Sequence, residues 1–297
     1  MDHDAIVIGG GFAGLAAATY LARARRKVCV VDTRRPRNRF AKASHGFLGQ
    51  DGSNPLEILA AARKQLDAYP TAALLQDEAV AASRENAGFA VTMASGRILR
   101  AGKIILAFGL RDELPEIPGL QERWGQTVLH CPYCHGIEFS DRQLGVLYRT
   151  EMSVHQALIV AEWGPVTLYL DGAELEPEAA QKLAERKIKV EAGRVAALEG
   201  QGTSLSSIRL DDGRRAAIDA LYIAPRSCLS SPLADQLDLA IDETPMGPVI
   251  RTDGEKMTSV PGIYAAGDIA RAPHSVSWAV ADGVTAGTSA HRAMVFG

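Results

Sequence analysis

The sequence has only four cysteines among 297 residues, too few and too scattered for the disulfide framework of a small secreted protein. It has no apolar run of about 18 residues, the length needed for a transmembrane helix. It also lacks an excess of positive charge, because the formal net charge is −3, so no basic field is available for nucleic acid. We therefore expect a soluble, cytoplasmic protein with neither a nucleic-acid nor a membrane partner.

Hydrophobic residues make up 47% of the chain, enough for large buried cores. At roughly 150 residues per domain, the length predicts about two domains.

The N-terminus has the pattern of a nucleotide-binding β-α-β unit. The stretch "DAIVIGGGFAGLAAATYLARARRKVCVVD" predicts a strand over Ala5–Ile8, a helix over Leu15–Arg25 and a strand over Lys27–Val31. Gly9, Gly11 and Gly14 have the G-x-G-x-x-G spacing, in which the glycines permit a tight turn, close approach to a pyrophosphate and helix–strand packing. Asp32 then lies where an acid would bond a ribose hydroxyl. A bound dinucleotide is the expected ligand.

The C-terminal stretch "PGIYAAGDIARAPHSVSWAVADGVTAG" predicts a short strand over Gly262–Ala265, then Gly267 and Asp268, and a helix from about Ser275. It resembles the second FAD fingerprint of flavoproteins with two dinucleotide domains. That resemblance implies that Asp268 binds ribityl and pyrophosphate oxygens and that backbone near Val276 faces the flavin pyrimidine edge.

The middle of the sequence repeats one plan. A hairpin with a Ser95-Gly96 turn precedes an apolar strand, and a hairpin with an Asp212-Gly213 turn precedes another. Between them, "QLGVLYRTEMSVHQALIVAEWGPVTLYLD" repeats the β-α-β opening. We predict an α/β protein of two Rossmann-like three-layer domains, the second inserted into the first. The predicted boundaries are 1–113 with 243–297 for the FAD-binding domain, and 114–242 for the inserted NAD(P)-binding-like domain.

Taken together, these motifs and a C-x-x-C in the middle of the sequence resemble the low-molecular-weight thioredoxin reductase family of flavoproteins over essentially the whole length. The resemblance implies FAD as cofactor, a homodimer formed mainly through the FAD domains, and a C-x-x-C that exchanges electrons with the flavin. Under it Cys134 is the flavin-proximal thiol and Cys131 the thiol that meets the substrate. The implied cofactor-binding residues are Gly9, Gly11, Phe12, Ala13, Gly14, Asp32, Arg37, His45, Val80 (adenine, through its backbone), Gly109, Gly267, Asp268 and Val276.

The segment "LHCPYCHGIEF" admits three interpretations: a redox dithiol, half of a zinc site, or packing. A structural zinc site needs four ligands, and Cys29 and Cys228 are isolated in apolar sequence, where buried packing is expected. No metal is therefore predicted. A redox dithiol suits the C-x-x-C spacing and a neighbouring flavin.

His135 stands where reductases of the family commonly have an Asp that donates a proton. A histidine can take a thiol proton and return it, so we predict a catalytic His135; capping or packing remains the alternative, and His130 is a weaker candidate. The C-x-x-C-H-G pattern resembles the thioredoxin-reductase-like dithiol oxidases that close disulfides in epidithio and dithiolopyrrolone natural products.

The second β-α-β lacks glycines. Tyr148, Thr150 and Ser153 stand in the three glycine positions, and Glu151 places a negative charge at the helix start. Asp171 and the acidic "GAELEPEA" follow the next strand, where reductases have an arginine-rich segment for NADPH. We therefore predict that the NADPH site is lost.

Three functions follow. The favoured one oxidises a small-molecule or protein dithiol through Cys131, Cys134 and FAD to O2 without NADPH. The first alternative is a thioredoxin-type disulfide reductase driven by NAD(P)H or by another donor such as ferredoxin. The second is a flavin-bound redox sensor with little turnover.

Overall fold

The structure, a computed structural model, describes residues 1–297, and the protein divides into two compact units. Unit 1 comprises 1–39, 55–111 and 227–297, and unit 2 comprises 40–54 and 112–226.

In sequence order the strands are β1 (His3–Ile8), β2 (Val28–Val31), β3 (Ala72–Leu75), β4 (Ala79–Glu85), β5 (Gly88–Met93), β6 (Ile98–Leu106), β7 (Leu110–Glu113), β8 (Val128–Leu129), β9 (Leu144–Leu147), β10 (Val166–Tyr169), β11 (Lys189–Glu191), β12 (Val195–Glu199), β13 (Ser207–Leu210), β14 (Arg215–Ala217), β15 (Ala220–Ile223), β16 (Arg226–Leu229), β17 (Ile241–Thr244), β18 (Gly247–Ile250) and β19 (Ile263–Ala265). The α-helices are α1 (Phe12–Arg23), α2 (Pro55–Asp67), α3 (Pro132–His135), α4 (Met152–Val160), α5 (Pro177–Glu185), α6 (Leu233–Gln236) and α7 (Val276–Phe296). Short 3-10 turns cover Arg37–Phe40, Gln121–Arg123, Ile137–Phe139 and Gly267–Ala270.

Unit 1 is built on a parallel sheet in the order β3-β2-β1-β6-β19. The first part of β6 also pairs antiparallel with β5, which pairs with β4. Because successive side chains of a strand point to opposite faces, Ala5 and Val7 lie in one core while Ile6 and Ile8 lie in another. The sheet is thus a middle layer, with α1, α2 and α7 on one face and β4, β5 and the first part of β6 on the other.

Unit 2 repeats this plan with a five-stranded parallel sheet in the order β11-β10-β9-β15-β8. Its antiparallel layer is β12-β13-β14. Leu221 and Ile223 pack towards that layer, whereas Tyr222 packs into the core that includes residues of α4 and α5. The predicted fold, two Rossmann-like three-layer domains, is confirmed.

The helix α1 begins earlier than the sequence predicted. Gly11 is its N-cap and Phe12 its first residue, because the glycine turn is complete at Gly11. It ends at Arg23, two residues before Arg25, which has φ of +61° and cannot continue a right-handed helix. The helix predicted from about Ser275 is confirmed: the Ser275 hydroxyl oxygen caps it by accepting from the N–H of Trp278 at 3.1 Å.

The unit boundaries differ from the predicted ones in three places, of which the smallest is the first crossing, at 111/112 rather than 113/114. The second crossing lies at 226/227 rather than 242/243, because Leu233 and Ala234 of α6 are buried in the same core as Ile6 and Ile104. Segment 40–54, predicted to lie in the FAD-binding domain, groups with unit 2, where Gly125 packs against Phe40 and the Gln126 side-chain amide donates to the Phe40 carbonyl.

None of the helices is both long and apolar enough to cross a bilayer.

Gly283 makes the contact between α7 and α1 testable. A Cβ on Gly283 would lie 2.1 Å from the Ala13 carbonyl oxygen, which is backbone and has little freedom to move. We expect Gly283→Ala to lower the free energy of unfolding by about 1–3 kcal/mol, the usual cost of overpacking. Thermal denaturation of the purified protein measures this.

Gly254→Ala is the matched control, since Gly254 is exposed and has no atom within 4 Å of its built Cβ. Equal melting temperatures for the two variants would contradict the tight α1–α7 contact.

Candidate functional site

The first glycine turn, between β1 and α1, leaves open space at one of the three glycines of the G-x-G-x-x-G motif and none at the other two. A Cβ on Gly9 would lie 2.2 Å from the Ala107 carbonyl oxygen, and one on Gly14 would lie 1.8 Å from that of Gly9. At Gly11 nothing lies within 4 Å. Gly9 and Gly14 are therefore needed by the fold, and Gly11 leaves room for a ligand at the α1 N-terminus, where backbone N–H groups and the helix dipole favour phosphate.

Asp32 lies at the end of β2, beside this turn. Its Oδ2 accepts a hydrogen bond from the Arg63 guanidinium at 2.9 Å, and its Oδ1 accepts from the N–H of Arg34 at 3.0 Å. Arg63, on α2, also donates to the Gly10 carbonyl at 3.1 Å. The acid is thus held next to the turn, where the sequence placed a ribose contact. Sequence reasoning missed Arg63, since a single arginine inside a helix carries no motif.

Arg37 and Asp268 were both predicted to bind the cofactor, and the structure brings them together. Arg37 Nη1 donates to Asp268 Oδ2 at 3.0 Å and lies 2.8 Å from His274 Nδ1, while Nη2 donates to Ser227 Oγ at 3.1 Å. The arginine therefore orients the carboxylate that the family resemblance assigns to the ribityl group. His274 and Ser227 are additions that the sequence did not indicate.

The remaining predicted cofactor residues of unit 1 take up varied positions. Gly267 has φ of +78° and lies against α1, since its Cβ would come within 3.0 Å of Ala13 Cβ. Gly109 also has positive φ, with open space around it, and Val276 is the first residue of α7. The Val80 carbonyl accepts from Gln236 Nε2 at 3.2 Å. Direct cofactor contacts by these residues stay predictions.

In unit 2, Cys131 and Cys134 form a disulfide at the carboxyl end of β8. Cys131 is the N-cap of α3, and its Sγ accepts from the N–H of Cys134 at 3.1 Å. An N–H donor at this sulfur stabilises a thiolate there once the disulfide opens. The other two cysteines are unpaired.

Neighbouring elements hold the segment around the disulfide in place. Gln156 of α4 donates to the His130 carbonyl at 2.7 Å, and the Tyr222 hydroxyl of β15 donates to the His135 carbonyl at 3.3 Å. The His130 ring nitrogen Nδ1 lies 3.3 Å from the Ile223 carbonyl oxygen. Through this contact the His130 side chain is anchored to β15.

His135 follows Cys134 directly and has two titratable neighbours. Burial lowers the pKa of His135, Glu138 opposes this by raising it, and His45 lowers it further. The His45 and His135 rings meet edge to face with centroids 6.1 Å apart. His45 Nε2 lies 3.3 Å from Glu138 Oε1 and Nδ1 lies 3.7 Å from Asp51 Oδ1. His45, predicted as a cofactor residue, thus lies within unit 2 beside His135, and its FAD contact stays a prediction.

The two unpaired cysteines differ from one another. Cys29 is buried as predicted, and burial raises its pKa. Cys228 is only half-buried, so its predicted full burial is wrong: it lies on β16, where the Arg111 guanidinium approaches its sulfur at 3.3 Å. The structure contains no group of three or more His, Cys, Asp or Glu side chains arranged to hold a metal ion.

The second β-α-β turn, between β9 and α4, satisfies its own amides. Ser153 Oγ accepts from the N–H of Arg149 at 2.9 Å and lies 3.4 Å from the N–H of Thr150. The Arg149 guanidinium lies 3.8 Å from Asp171 Oδ2, and Asp171 Oδ1 accepts from the N–H of Val195 at 2.9 Å. Gly145, the glycine nearest the turn, lies inside β9, and a Cβ there would meet Ile218 at 2.4 Å. In this turn the buried Ser153 hydroxyl therefore accepts hydrogen bonds from backbone amides. The first turn has open space at Gly11 instead.

Comparison with known proteins identifies the family. The sequence matches the pyridine nucleotide-disulphide oxidoreductase family over residues 3–283. The chain belongs to this family. It is 34% identical over 307 residues to thioredoxin reductase tcpT of Claviceps purpurea, covering 97% of this chain and 92% of that protein. It is 30% identical over 304 residues to thioredoxin reductase sirT of Leptosphaeria maculans, covering 96% and 92%.

Solved structures agree with the family assignment. The fold matches an oxidoreductase from Agrobacterium tumefaciens with a TM-score of 0.94 at 43% identity, covering 100% of this chain and 99% of that one. It matches HlmI with a TM-score of 0.93 at 35% identity, covering 98% and 92%. The protein is therefore a thioredoxin reductase-like flavoprotein, an oxidoreductase that binds FAD.

The residues of unit 1 fit FAD. Gly11 and the α1 N-terminus would receive the pyrophosphate, Asp32 the adenosine ribose, and the Arg37–Asp268 pair the ribityl side. All of these residues were predicted as cofactor-binding residues, the glycines and Asp32 from the sequence motif and Arg37 and Asp268 from the family resemblance.

The variant Gly11→Val tests whether the glycine turn at the N-terminus of α1 receives the pyrophosphate of FAD. We expect the variant to fold, because Gly11 is in an extended conformation with φ of −80° and has open space around its Cβ. We expect its FAD affinity to fall by about 100-fold, or about 2.8 kcal/mol, because the side chain would occupy the place of the pyrophosphate. Circular dichroism measures the fold, and titration of the apoprotein with FAD followed by flavin fluorescence measures affinity.

Gly254→Val is the control and should bind FAD like the wild-type protein. Unchanged FAD affinity in Gly11→Val would exclude the glycine turn as the pyrophosphate site.

Proposed function

We propose that this flavoprotein oxidises a dithiol to a disulfide through Cys131 and Cys134 and passes the electrons through FAD to O2, without NADPH. The balanced reaction is R(SH)2 + O2 → RS2 + H2O2. The observation that carries the proposal is the second turn, where Ser153 Oγ engages the Arg149 and Thr150 amides and Arg149 faces Asp171.

Hydride transfer from a pyridine nucleotide requires the nicotinamide to be held in near-attack geometry. Binding energy for that comes largely from the phosphates, which helix N-termini and glycine turns receive through backbone amides. In unit 2 these amides have an internal acceptor, and the acids that follow β10 repel phosphate. A dithiol substrate has no phosphates and needs no such set of free backbone amides.

The protein supplies the thiol–disulfide exchange. A substrate thiolate attacks the disulfide and forms a mixed disulfide; Cys131 is assigned this contact by resemblance to thioredoxin reductases and is supported by the Cys134 N–H on its sulfur. Cys134 leaves with the electron pair, and His135, the next residue, manages its proton. When bound, FAD would supply a two-electron acceptor for the dithiol form of Cys131 and Cys134 and, once reduced, a two-electron donor for O2.

The working form under this proposal is a cytoplasmic homodimer joined mainly through the FAD-binding domains, as the resemblance to thioredoxin reductases implies. The substrate class is a small-molecule or protein dithiol.

A disulfide reductase driven by NAD(P)H or ferredoxin is the second candidate. The names of tcpT and sirT, both thioredoxin reductases, favour it. A flavin-bound sensor is the third, and measurable turnover separates it from both enzymes.

Anaerobic reduction of the flavin decides among these functions. We expect the oxidised flavin spectrum to persist with an excess of NADPH or NADH, because the second turn offers no phosphate site. We expect it to bleach with dithiothreitol and to return when air is admitted, with an equivalent amount of H2O2. Reduction by NADPH within seconds would instead establish the reductase.

Two cysteine variants test whether electrons pass from the dithiol to the flavin through Cys131 and Cys134. Cys131→Ser and Cys134→Ser should each lower aerobic dithiol oxidation by about 1000-fold or more, the scale for removing a nucleophile, while keeping FAD bound. Peroxide release at saturating dithiothreitol is the measurement.

Cys228→Ser is the control, because its sulfur lies beside Arg111, outside the disulfide, and we expect wild-type turnover. Wild-type turnover in Cys131→Ser or Cys134→Ser would show that dithiols reduce the flavin directly.

A further inference from the structure

Two large apolar side chains beside the disulfide are exposed to solvent. Tyr133 lies between the two cysteines in the sequence and is 77% exposed, and Ile137, one helical turn later, is 71% exposed. The backbone stays helical between them, because Gly136 has φ of −70° and ψ of −39° and its N–H donates to the Pro132 carbonyl at 2.7 Å. Residues four apart on a helix are neighbours on its surface, so Tyr133 and Ile137 lie side by side.

Trp163 gives these side chains a fixed base. Its ring meets the Tyr133 ring edge to face, with centroids 5.8 Å apart and planes at 87°. A Cβ on Gly136 would lie 2.5 Å from the Trp163 ring, so the helical turn lies directly against the indole. Trp163 itself packs against the core that includes Leu144 and Val160. The aromatic pair is therefore held in place by the fold of unit 2.

The apolar surface formed by Tyr133, Ile137 and Trp163 adjoins the reacting sulfurs. Tyr133 directly precedes Cys134, and neighbouring Cα atoms are about 3.8 Å apart. Ile137 follows Cys134 by three residues, the other spacing at which helical side chains meet. Because Cys134 is bonded to Cys131, a substrate sulfur that attacks the disulfide brings its carbon skeleton next to the apolar surface.

The two acids that flank the apolar surface in the sequence have partners of their own. Glu138 Oε1 lies 3.3 Å from His45 Nε2, and Glu162, the residue before Trp163, forms an ion pair with Arg186. Neither carboxylate is left to attract a cationic substrate. A ligand on the apolar surface meets aromatic and aliphatic carbon, against which a charged group would lose its hydration without compensation.

We propose that the apolar surface binds the carbon skeleton of the substrate, and that the substrate is a small, uncharged dithiol whose thiols adjoin an aromatic or aliphatic ring. The proposal rests on the proposed dithiol oxidation and deepens it by naming the substrate class. Ring carbon leaves water on contact with Tyr133 and Ile137, and an aromatic ring packs against Tyr133 offset or edge to face. These two residues determine specificity, while the exchange at sulfur belongs to Cys131 and Cys134.

The size of the apolar surface favours a small molecule over a protein. An aromatic side chain buries roughly 150–250 Å² when it is fully covered, whereas a stable protein complex buries about 800 Å² on each partner. Tyr133, Ile137 and the exposed part of Trp163 together fall short of that area. They are sufficient to cover one face of a ring.

Two dithiols of matched chemistry test the proposal: dithiothreitol and ortho-bis(mercaptomethyl)benzene. Both close to a cyclic disulfide of the same ring size, but the first carries hydroxyls where the second carries a benzene ring. The measured quantity is kcat/KM for peroxide release by the full-length FAD-bound protein, expressed as the ratio of the aromatic dithiol to dithiothreitol. An effect of a substitution on the enzyme disulfide itself acts on both substrates and cancels in this ratio.

We expect the wild-type protein to prefer the aromatic dithiol by about tenfold, the scale of one aromatic contact. Tyr133→Ala should lower the ratio by about tenfold for the same reason, and Ile137→Ser should lower it by about fivefold through lost apolar contact. Tyr133→Phe keeps the ring and should stay within about twofold of the wild-type ratio.

Val190→Ala is the matched control. Val190 is an apolar residue of unit 2 that is 42% exposed, and it lies on β11, at the opposite edge of the sheet from β8 and the disulfide. We expect the wild-type ratio in this variant.

Calorimetric titration of the oxidised protein with the cyclic disulfide of the aromatic dithiol measures binding without turnover. Tyr133→Ala should weaken this binding by about tenfold, whereas Tyr133→Phe and Val190→Ala should bind like the wild-type protein. Circular dichroism and flavin content confirm that each variant is folded.

The same ratio in the wild-type protein, Tyr133→Ala and Ile137→Ser would overturn the proposal. Flavin reduction by reduced thioredoxin that is lost in Tyr133→Ala, with the ratio for the small dithiols unchanged, would assign the apolar surface to a protein and would also overturn it. If neither dithiol reduces the wild-type flavin, the proposed function fails instead. Calorimetry then decides the role of the surface: tenfold weaker binding in Tyr133→Ala supports it, and equal affinities exclude it.

Discussion

Close approach of backbone to backbone at a few glycines positions the candidate cofactor site of unit 1. Gly14 brings the first turn of α1 against the Gly9 carbonyl, and Gly283 brings α7 against the Ala13 carbonyl. A side chain at Gly14 would push α1 away from the turn at Gly9, and one at Gly283 would push α7 away from α1. Since the α1 N-terminus is held by these contacts, its amides point to one fixed place at the carboxyl ends of the parallel strands, where ligands bind in open α/β sheets.

The two units share a β-α-β fold and differ in the turn that precedes the helix. Unit 2 keeps the parallel sheet, the crossing helix and the antiparallel layer of unit 1, with the same alternation of side chains between two cores. Its turn nevertheless carries Ser153 and Arg149 where unit 1 carries glycines, and their hydrogen bonds complete the turn internally. Packing of apolar faces maintains the architecture of both units, and a few polar atoms determine which hydrogen bonds each turn makes within itself.

The sequence predicted what depends on local pattern and missed what depends on distant pairing. The strand–helix–strand pattern identified both β-α-β units and glycine spacing identified the first, because these signals lie within one segment. The Arg37–Asp268 contact joins residues separated by 231 positions, and His45 meets Glu138 only because a loop from the first half of the sequence packs with unit 2. The assignment of Cys228 to the interior failed because apolar neighbours in sequence do not determine which face of an edge strand is covered.

The hydroxyl of Ser153 also has a thermodynamic consequence for unit 2. A turn that leaves amides for a ligand gains stability from that ligand by mass action, so its folding follows the ligand concentration. A turn whose amides donate to its own serine makes those hydrogen bonds in the unliganded fold, so their contribution to stability is present without a ligand. In unit 1 the open space at Gly11 leaves the corresponding contribution to a ligand, so bound FAD stabilises the folded state of that unit by mass action.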